Sequence, residues 1–344
     1  MITQGGTWTL VGADVAEWSL YGVRLRSEHR FVNNVLREDR APAPSEDTVR
    51  FTYVAEAPLP PGWERTPPAH ASSAMIDDDT SFLYVIDVGD CTVLRFSEVV
   101  DFFVWTDRIL CRLLDPEYRF MVELHLLGFV MAYWLERRGI LALHAAAVAV
   151  HGHAIGFLAT NAGGKSSLAA SLMRDGHPLL SDDILPVERG GRRPLARPSY
   201  PQMRMWPETA RHFVGTTALA QVHPRLEKRR VPVGHQGFGR FERNAQPLAV
   251  LYLPERAEDG GVMFSDVPFG EAVFALERYA FLAPMLTDTG LQRHRFSTVA
   301  TVAARVPLRR VSYPSGLDRL PEVAMSIVAD ATVTIERAAA RRGA

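Results

Sequence analysis

Hydrophobic and polar positions alternate in short runs over the first third of the chain. Such runs are "SLYGVRLRS", "VRFTYVAEA" and "FLYVIDVGDCTVLRF", the last with Gly89 and Asp90 between two apolar arms. Alternation with a period of two is typical of strands with one buried face, and a Gly-Asp pair between two arms indicates a hairpin. The pattern therefore predicts a β-rich amino-terminal lobe over residues 1–112.

The hydrophobic period changes near Pro116, and a second domain, residues 113–344, is predicted from there. Nearly continuous apolar residues from Tyr118 to Arg138 predict one long, mostly buried helix that ends at Gly139. Its most apolar part, "FMVELHLLGFVMAYWL", contains a glutamate and a histidine and is shorter than the roughly 20 residues needed to span a bilayer. A buried helix is therefore expected, with contact to a membrane surface as the alternative.

Two apolar, β-compatible arms, "LHAAAVAV" and "AIGFLAT", are joined by His151, Gly152 and His153. So short a connection predicts an antiparallel hairpin. If Gly152 lies at its centre, position 144 pairs with position 160, and His144 lies beside the residues that follow the second arm. A functional His144 and a core histidine both stay open, while His151 and His153 are predicted to face solvent.

The second arm leads into the glycine loop, residues 159–166, and a helix that begins near Lys165. Two adjacent glycines let backbone N–H groups turn inward, and the positive end of the helix points at the same place, which predicts an anion site. Lys165 can reach terminal phosphates and Ser166 can offer its hydroxyl to Mg²⁺, as in G-x-x-x-x-G-K-S/T. Ala159 replaces the first glycine of that pattern, and a chance Gly-Lys-Ser at a helix start is the alternative. The residues predicted to contact a nucleotide are Asn161, Ala162, Gly163, Gly164, Lys165, Ser166 and Ser167.

A helix stop at Gly176 and a short strand that ends at Ser181 follow the glycine loop. A strand-helix-strand crossover commonly places its two strands parallel in one sheet. Asp182 and Asp183 follow the second strand, so they are expected at the same sheet edge as the loop. The alternative is an acidic turn on the surface.

The remaining chain predicts a basic loop over residues 223–243, a strand at "LAVLYL", helical segments from Glu271 to Ala304 and a final alanine-rich helix. The charge of the basic loop has two interpretations. In the first, Arg229 or Arg230 binds the phosphoryl group during its transfer. In the second, the loop is only a solvated basic segment.

Composition excludes some classes of partner. The 344 residues carry a net charge of -1, with 47% hydrophobic and 22% charged residues, so no nucleic-acid partner is predicted. No membrane partner is predicted either, because the longest apolar run is too short to span a bilayer. Cys91 and Cys111 lie in apolar segments without metal-ligand spacing, which favours buried free thiols in a reducing cytoplasm, although a disulfide stays open. The first residues show no basic segment followed by an apolar one, so no secretory signal is predicted.

The order "LHAAAVAV", hairpin, "GGKSSLAASL" and "LLSDD" resembles the catalytic domain of HPr kinase/phosphorylase. It is most similar to the HPr kinase-like proteins of ribosomally made peptide biosynthesis, including lasso-peptide tailoring kinases. The resemblance covers about residues 138–335 and includes "RPSYPQMRMWPE" and "RVPLRRVSYP". Separately, "SLYGVRLRSE" near residue 20 resembles the amino-terminal lobes of those relatives. It implies an α/β fold: a P-loop kinase domain of HPr kinase type with a mixed sheet, plus an amino-terminal β-rich lobe.

The resemblance also implies roles for individual residues. Lys165 and Ser166 bind phosphate and Mg²⁺, Asp183 is a metal ligand, and Asp182 is the base that accepts the substrate hydroxyl proton, assisted by His144. The sequence departs from the family at Ala159 and at Ser167, where bacterial HPr kinases carry a glutamate that helps to hold metal. No copy of the phosphorylase signature is found.

These residues together predict a kinase that uses ATP and Mg²⁺ to phosphorylate a serine hydroxyl of a peptide or protein, such as a ribosomally made precursor peptide. The alternative is a nucleotide-binding scaffold or switch that binds a precursor peptide without phosphoryl transfer. A small-molecule kinase is a third interpretation, and a homo-oligomer stays open.

Overall fold

The computed structural model describes residues 15–343 except 30, 32, 34–35, 37–46, 55–58, 225, 236, 259 and 284–290. The first residues of the chain, for which no secretory signal is predicted, lie outside this range. Within these described residues the architecture is mixed α/β, with three sheets. None of the helices in the described ranges combines the length and apolarity needed to span a bilayer.

The first sheet has eight strands between Ala16 and Leu113, within the segment predicted to be β-rich. Its strands are β1 (Ala16–Leu20), β2 (Val23–Ser27), β3 (Thr48–Tyr53), β4 (His70–Ala71), β5 (Leu83–Val88), β6 (Cys91–Phe96), β7 (Val100–Val104) and β8 (Arg108–Leu113). They lie in the order β1-β2-β3-β8-β7-β6-β5-β4, and β3 is parallel to both of its neighbours. The predicted hairpin is confirmed, since Val88 pairs with Cys91. Both cysteines are buried and free, as predicted.

One long helical segment packs on the first sheet, as its apolar run predicts. It consists of α1 (Arg119–His125), a π-helical turn (Leu126–Val130) and α2 (Met131–Arg137), and Gly139 follows with φ 76°. The apolar side chains of this segment and of the sheet form a single buried core. The amino-terminal sheet therefore holds this helix in place, although the helix belongs to the predicted second domain.

The second sheet, as far as the structure describes the chain, has nine strands and helices on both faces. Its strands are β9 (Leu141–Leu143), β10 (Ala145–Val150), β11 (His153–Leu158), β12 (Leu179–Ser181), β13 (Leu185–Glu188), β14 (Leu195–Ala196), β18 (Gln246–Ala257), β19 (Met263–Asp266) and β20 (Leu308–Pro314). The helices are α3 (Lys165–Arg174), α4 (Pro207–Val214), α5 (Phe269–Arg278), α6 (Leu291–Arg305) and α7 (Leu320–Gly343). Apolar residues of α3 and α7 form the core on one face, and those of α5 and α6 form the core on the other.

The strands on either side of the glycine loop are parallel in one sheet, as predicted. β10 is antiparallel both to β11 and to β12, so β11 and β12 run in the same direction with β10 between them. β18 pairs in parallel with β11, and β20 in parallel with β18. The carboxyl ends of these strands therefore meet at one edge, beside the glycine loop.

The predicted register of the β10–β11 hairpin is wrong by one residue. Val150 pairs with His153 and Ala145 with Leu158, so position 144 faces position 159, not 160. The turn has two residues, His151 and Gly152, with φ 48° and 71°. Positive φ at both positions matches a type I′ turn, whose twist suits a hairpin.

The predicted basic loop, residues 223–243, contains a strand that the sequence did not predict. β17 (Leu226–Pro232) lies at the centre of a third, antiparallel sheet, between β15 (Gln202–Met205) and β16 (Gln221–His223). Its "LEKRR" lacks the alternation of an amphipathic strand, so no strand is predicted there from the pattern of residues. Hydrogen bonding to strands on both sides stabilises it instead.

Candidate functional site

The glycine loop joins β11 to α3 in a tight conformation. Ala162 and Gly164 have φ values of 63° and 89°. A Cβ atom on Gly163 would lie 2.6 Å from the Cβ of Ala159, so that position excludes any side chain. Ala159, at the first position of the loop, fits because Gly163, at the fifth position, has no Cβ atom. The departure at Ala159 is thereby accommodated.

Lys165 begins α3 and is buried at the centre of the site. Its Nζ donates to the carbonyl oxygens of Ala159 at 2.7 Å and Thr160 at 3.0 Å, and lies 3.1 Å from Nε2 of His144. Burial lowers the pKa of Lys165 to about 8, although Asp182 and Asp183 act in the opposite direction. The ammonium is thus held among acceptors, at the N-terminus of a helix.

Asp182 connects the strand end to the glycine loop. Ser166 Oγ donates to its Oδ1 at 2.8 Å, and the backbone N–H of Arg204 donates to its Oδ2 at 2.8 Å. Burial raises the pKa of Asp182, against these hydrogen bonds. The two carboxylate oxygens are therefore committed to fixed donors on two separate elements.

Asp183 takes a different set of partners. Arg204 Nη1 donates to its Oδ2 at 2.6 Å, and His144 Nδ1 lies 3.5 Å from its Oδ1. Burial alone would raise the pKa of Asp183, but Arg204 and then His144 hold it below its usual value. Its φ of 76° is in the left-handed region, a strained conformation for a residue with a side chain. The carboxylate is thus kept ionised beside a guanidinium.

His144 lies between β9 and β10, where the chain passes from one part of the second sheet to another. Its Nδ1 is 3.1 Å from the carbonyl oxygen of Asp183, and its Nε2 faces the Lys165 ammonium. The carbonyl requires a proton on Nδ1, so Nε2 is left as an acceptor. Burial lowers the pKa of His144, which favours this neutral form. The geometry brings His144, Lys165 and the acidic pair together, and their roles stay predictions.

These residues line a cavity of about 210 Å³. All the residues predicted to contact a nucleotide, from Asn161 to Ser167, belong to its wall, together with His144, Asp182 and Asp183. Further lining residues that sequence reasoning missed are Arg204, Met205, Trp206, Glu208, Thr209, Lys228 and Arg256. Arg204 and Trp206 lie in "RPSYPQMRMWPE", a segment noted only for its resemblance.

Neither Arg229 nor Arg230 lines this cavity. Arg230 Nη2 donates to the carbonyl oxygen of Val222 at 3.0 Å, and its side chain lines a small adjoining cavity with Glu123 and Gln202. The neighbouring Lys228 faces the site instead. His151 lies at the opposite end of the β10–β11 hairpin and is exposed.

The oxygen atoms of Ser166 and Asp182 fit a magnesium site. Mg²⁺ prefers oxygen ligands, keeps several waters, and is commonly held by one or two carboxylates plus substrate phosphates. Among the described residues, no group of three or more His, Cys, Asp or Glu side chains could hold a metal alone. A hydroxyl and a carboxylate 2.8 Å apart at the glycine loop are donors of the required kind.

Comparisons with known proteins add little to this geometry. No family model matches the chain, and no curated protein matches it. Among solved structures, the chain is similar to the HPr(Ser) kinase/phosphatase from Coxiella burnetii, with a TM-score of 0.31 and 10% identity, over 57% of this chain and 98% of that chain.

Proposed function

We propose that the protein is a phosphotransferase that uses ATP and Mg²⁺ to phosphorylate a hydroxyl group, in a P-loop kinase domain of HPr kinase type. The observation that supports this most directly is the 2.8 Å contact between Ser166 and Asp182, which joins the glycine loop to the acidic pair. An anion site and two carboxylates in one cavity supply the parts that phosphoryl transfer needs: charge neutralisation, a metal site and a base.

The nucleotide side of the site is formed by the glycine loop. Backbone N–H groups of the loop and the N-terminus of α3 would receive the phosphates, and Lys165 would turn from the loop carbonyls to the terminal phosphates. Ser166 and Asp182 would hold Mg²⁺, which supplies neutralisation of charge on those phosphates when bound. The carboxylate of Asp182 is already directed at the Ser166 hydroxyl by the backbone of Arg204.

The contacts favour an exchange of the roles that the resemblance implies for the two aspartates. Asp182 lies next to Ser166, as a metal ligand should, whereas Asp183 lies next to His144 and Arg204. We assign Asp183 as the base: its carboxylate takes the proton of the acceptor hydroxyl, the hydroxyl oxygen bonds to the terminal phosphorus, and ADP leaves. Arg204 and His144 orient that carboxylate.

The acceptor that we propose is a serine of a peptide or protein, such as a ribosomally made precursor peptide. The decisive experiment is incubation with labelled ATP, Mg²⁺ and the peptides encoded beside the gene, followed by mass spectrometry. A gain of one phosphate that disappears in Lys165→Ala supports the kinase. Nucleotide binding without any gain in mass supports the scaffold or switch, and addition of a whole nucleotide identifies a different transferase.

A further inference from the structure

Two cations that line the site cavity form no ion pair within the part of the chain that the structure describes: Arg256 and Lys228. The other two cations of the cavity are engaged, because Lys165 donates to loop carbonyls and Arg204 donates to Asp183. A cavity wall with two uncommitted positive charges is suited to a ligand with several negative charges.

Arg256 lies on the glycine side of the cavity, near the carboxyl end of β18. That strand runs parallel to β11, and ligands of open α/β sheets bind beyond the carboxyl ends of such strands. Its Nη2 lies 2.9 Å from the point that a Cβ atom on Gly164 would occupy. The guanidinium is thus in contact distance of the glycine loop itself.

Tyr313 fixes the position of Arg256. The two residues are register partners on β20 and β18, and the guanidinium carbon lies 4.5 Å from the centre of the Tyr313 ring. Such stacking attracts a cation to the ring face while leaving its N–H groups free to donate. The Tyr313 ring is fully buried, so this support is rigid.

Lys228 reaches the cavity from β17, in the third sheet. Its Nζ is 5.4 Å from the centre of the Trp206 ring. Lys228 thus shares the cavity with Asp183. It is therefore near the carboxylate to which we assign the acceptor proton.

From this arrangement we infer that Arg256 and Lys228 hold the two ends of a nucleoside triphosphate chain. Arg256 binds the phosphates nearer the nucleoside, and Lys228 binds the terminal phosphoryl group in transfer. The inference rests on the proposed function and assigns the phosphoryl contact to Lys228, not to Arg229 or Arg230.

Titration calorimetry with Mg-ATP and with Mg-ADP tests whether Arg256 and Lys228 bind different phosphates. Arg256→Gln should weaken both nucleotides alike, by about 10-fold to 100-fold, because the lost contact involves phosphates that both contain. Lys228→Gln should weaken Mg-ATP at least about 10-fold more than Mg-ADP, and should lower the transfer rate. The matched control is Arg278→Gln, an exposed arginine near the ring of Tyr279 and outside the cavity, which should change neither.

The tyrosine provides a second test. Tyr313→Phe keeps the ring and should bind nucleotide as the natural protein does, whereas Tyr313→Leu should reproduce part of the loss seen in Arg256→Gln. Unchanged binding in Arg256→Gln, or equal losses of both nucleotides in Lys228→Gln, overturns the inference while nucleotide binding stands. If the natural protein binds neither nucleotide, the proposed function itself fails. Melting temperatures of all variants separate these results from loss of folding.

Discussion

At the residue scale, the two adjacent aspartates accept hydrogen bonds from different donor groups, although Arg204 supplies one to each. Asp182 receives a hydroxyl and a backbone N–H, and burial raises its pKa. Burial would raise the pKa of Asp183, but the Arg204 guanidinium donates to its carboxylate and holds the pKa below its usual value. The two carboxylates thus have different surroundings, because the chain turns at Asp183 with φ 76°. This difference makes their roles separable.

We expect Asp183→Asn to leave Mg-ATP affinity nearly unchanged and to lower phosphoryl transfer by about 10²-fold to 10⁴-fold, the usual effect of a positioned base. Asp182→Asn should weaken Mg-dependent ATP binding by about 10-fold or more, because it removes an anionic metal ligand. Calorimetry and single-turnover rates measure the two effects. Asp175→Asn, on an exposed residue after α3, serves as the control.

The opposite pattern, with transfer lost in Asp182→Asn and binding lost in Asp183→Asn, would restore the assignment that the resemblance implies. Similar small losses in both variants, together with lower melting temperatures, would indicate an acidic turn that only shapes the loop. In that case the nucleotide site would stand without the proposed base.

His125 is a second residue with a measurable signature. Its ring is stacked on Phe96 with centroids 3.8 Å apart, and neither nitrogen has a hydrogen-bond partner among the described residues. Burial, with a smaller effect of His223, lowers the pKa of His125 to about 3. The native state therefore requires a neutral ring, whereas an unfolded chain binds a proton below about pH 6.5.

Stability from His125 is fully present above about pH 6.5 and is lost as the pH falls toward the folded-state pKa. Between pH 6 and 4 the free energy of unfolding should fall by up to about 1.4 kcal/mol per pH unit more in the natural protein than in His125→Leu. Urea titrations at several pH values measure these slopes. His151→Asn, at an exposed turn, should keep the slope of the natural protein, and equal slopes in His125→Leu would contradict the prediction.

Residue patterns predicted the centre of the site better than its walls. Lys165, Ser166 and the acidic pair lie within 19 residues of one another in sequence, so a local motif and one crossover suffice to place them. Lys228 and Arg256 come from strands far along the chain, and their single charges carry no local pattern. Arg204 was not predicted either, because its segment contains no recognisable catalytic or binding motif.

At the element scale, the β1–β2 hairpin extends from the amino-terminal sheet to the residues that hold the site. Tyr21 at its tip has φ 58°, and its backbone N–H donates to the carbonyl oxygen of Ser199 at 3.0 Å. Its ring contacts that of Tyr200 edge to face, with centroids 5.8 Å apart. The hydroxyl of Tyr200 lies 3.5 Å from Nη2 of Arg204, and Nη1 of the same guanidinium donates to Asp183.

We expect this chain of contacts to position Arg204 on Asp183. Tyr200→Leu should lower the transfer rate by about 10-fold to 100-fold through misplacement of the carboxylate, while Mg-ATP affinity is retained. Tyr200→Phe keeps the ring and gives up only a long contact, so it should stay close to the natural rate. If both variants behave alike, or if Mg-ATP affinity falls with the rate, the hairpin does not position the base.

Elements that depend on partners were the ones the sequence did not reveal. β17 is a strand because β15 and β16 pair with both of its edges, although its own residues are mostly charged. The π-helical turn at Leu126–Val130 interrupts a run whose apolar pattern predicts continuous helix. The predicted register of the β10–β11 hairpin was wrong because it assumed a three-residue turn. The turn has two residues, which shifts the pairing by one position.

At the scale of the whole molecule, the two predicted domains share a core. Ile184, Tyr200 and Leu282 belong to the same buried cluster as the first sheet and the helical segment 119–137. Polar contacts cross the same boundary, as Asp47 pairs with Arg138 at 2.6 Å and with Arg197 at 3.0 Å. A division at residues 112 and 113 would separate the sheet from the helix that covers it.

We therefore expect the whole chain to unfold in a single calorimetric transition, with equal calorimetric and van't Hoff enthalpies, although its length would allow two. A fragment of residues 113–344 should show no cooperative transition, because removal of the first sheet exposes the apolar face of the helix, including Val122 and Leu126, which are fully buried in the intact chain. The fragment 139–344, which lacks this helix as well, is the matched comparison and should be the more soluble of the two.

Two separate transitions in the whole chain, or a folded and active fragment 113–344, would show instead that the amino-terminal lobe is an independent unit. The second result would also show that the hairpin at Tyr21 is dispensable for the site.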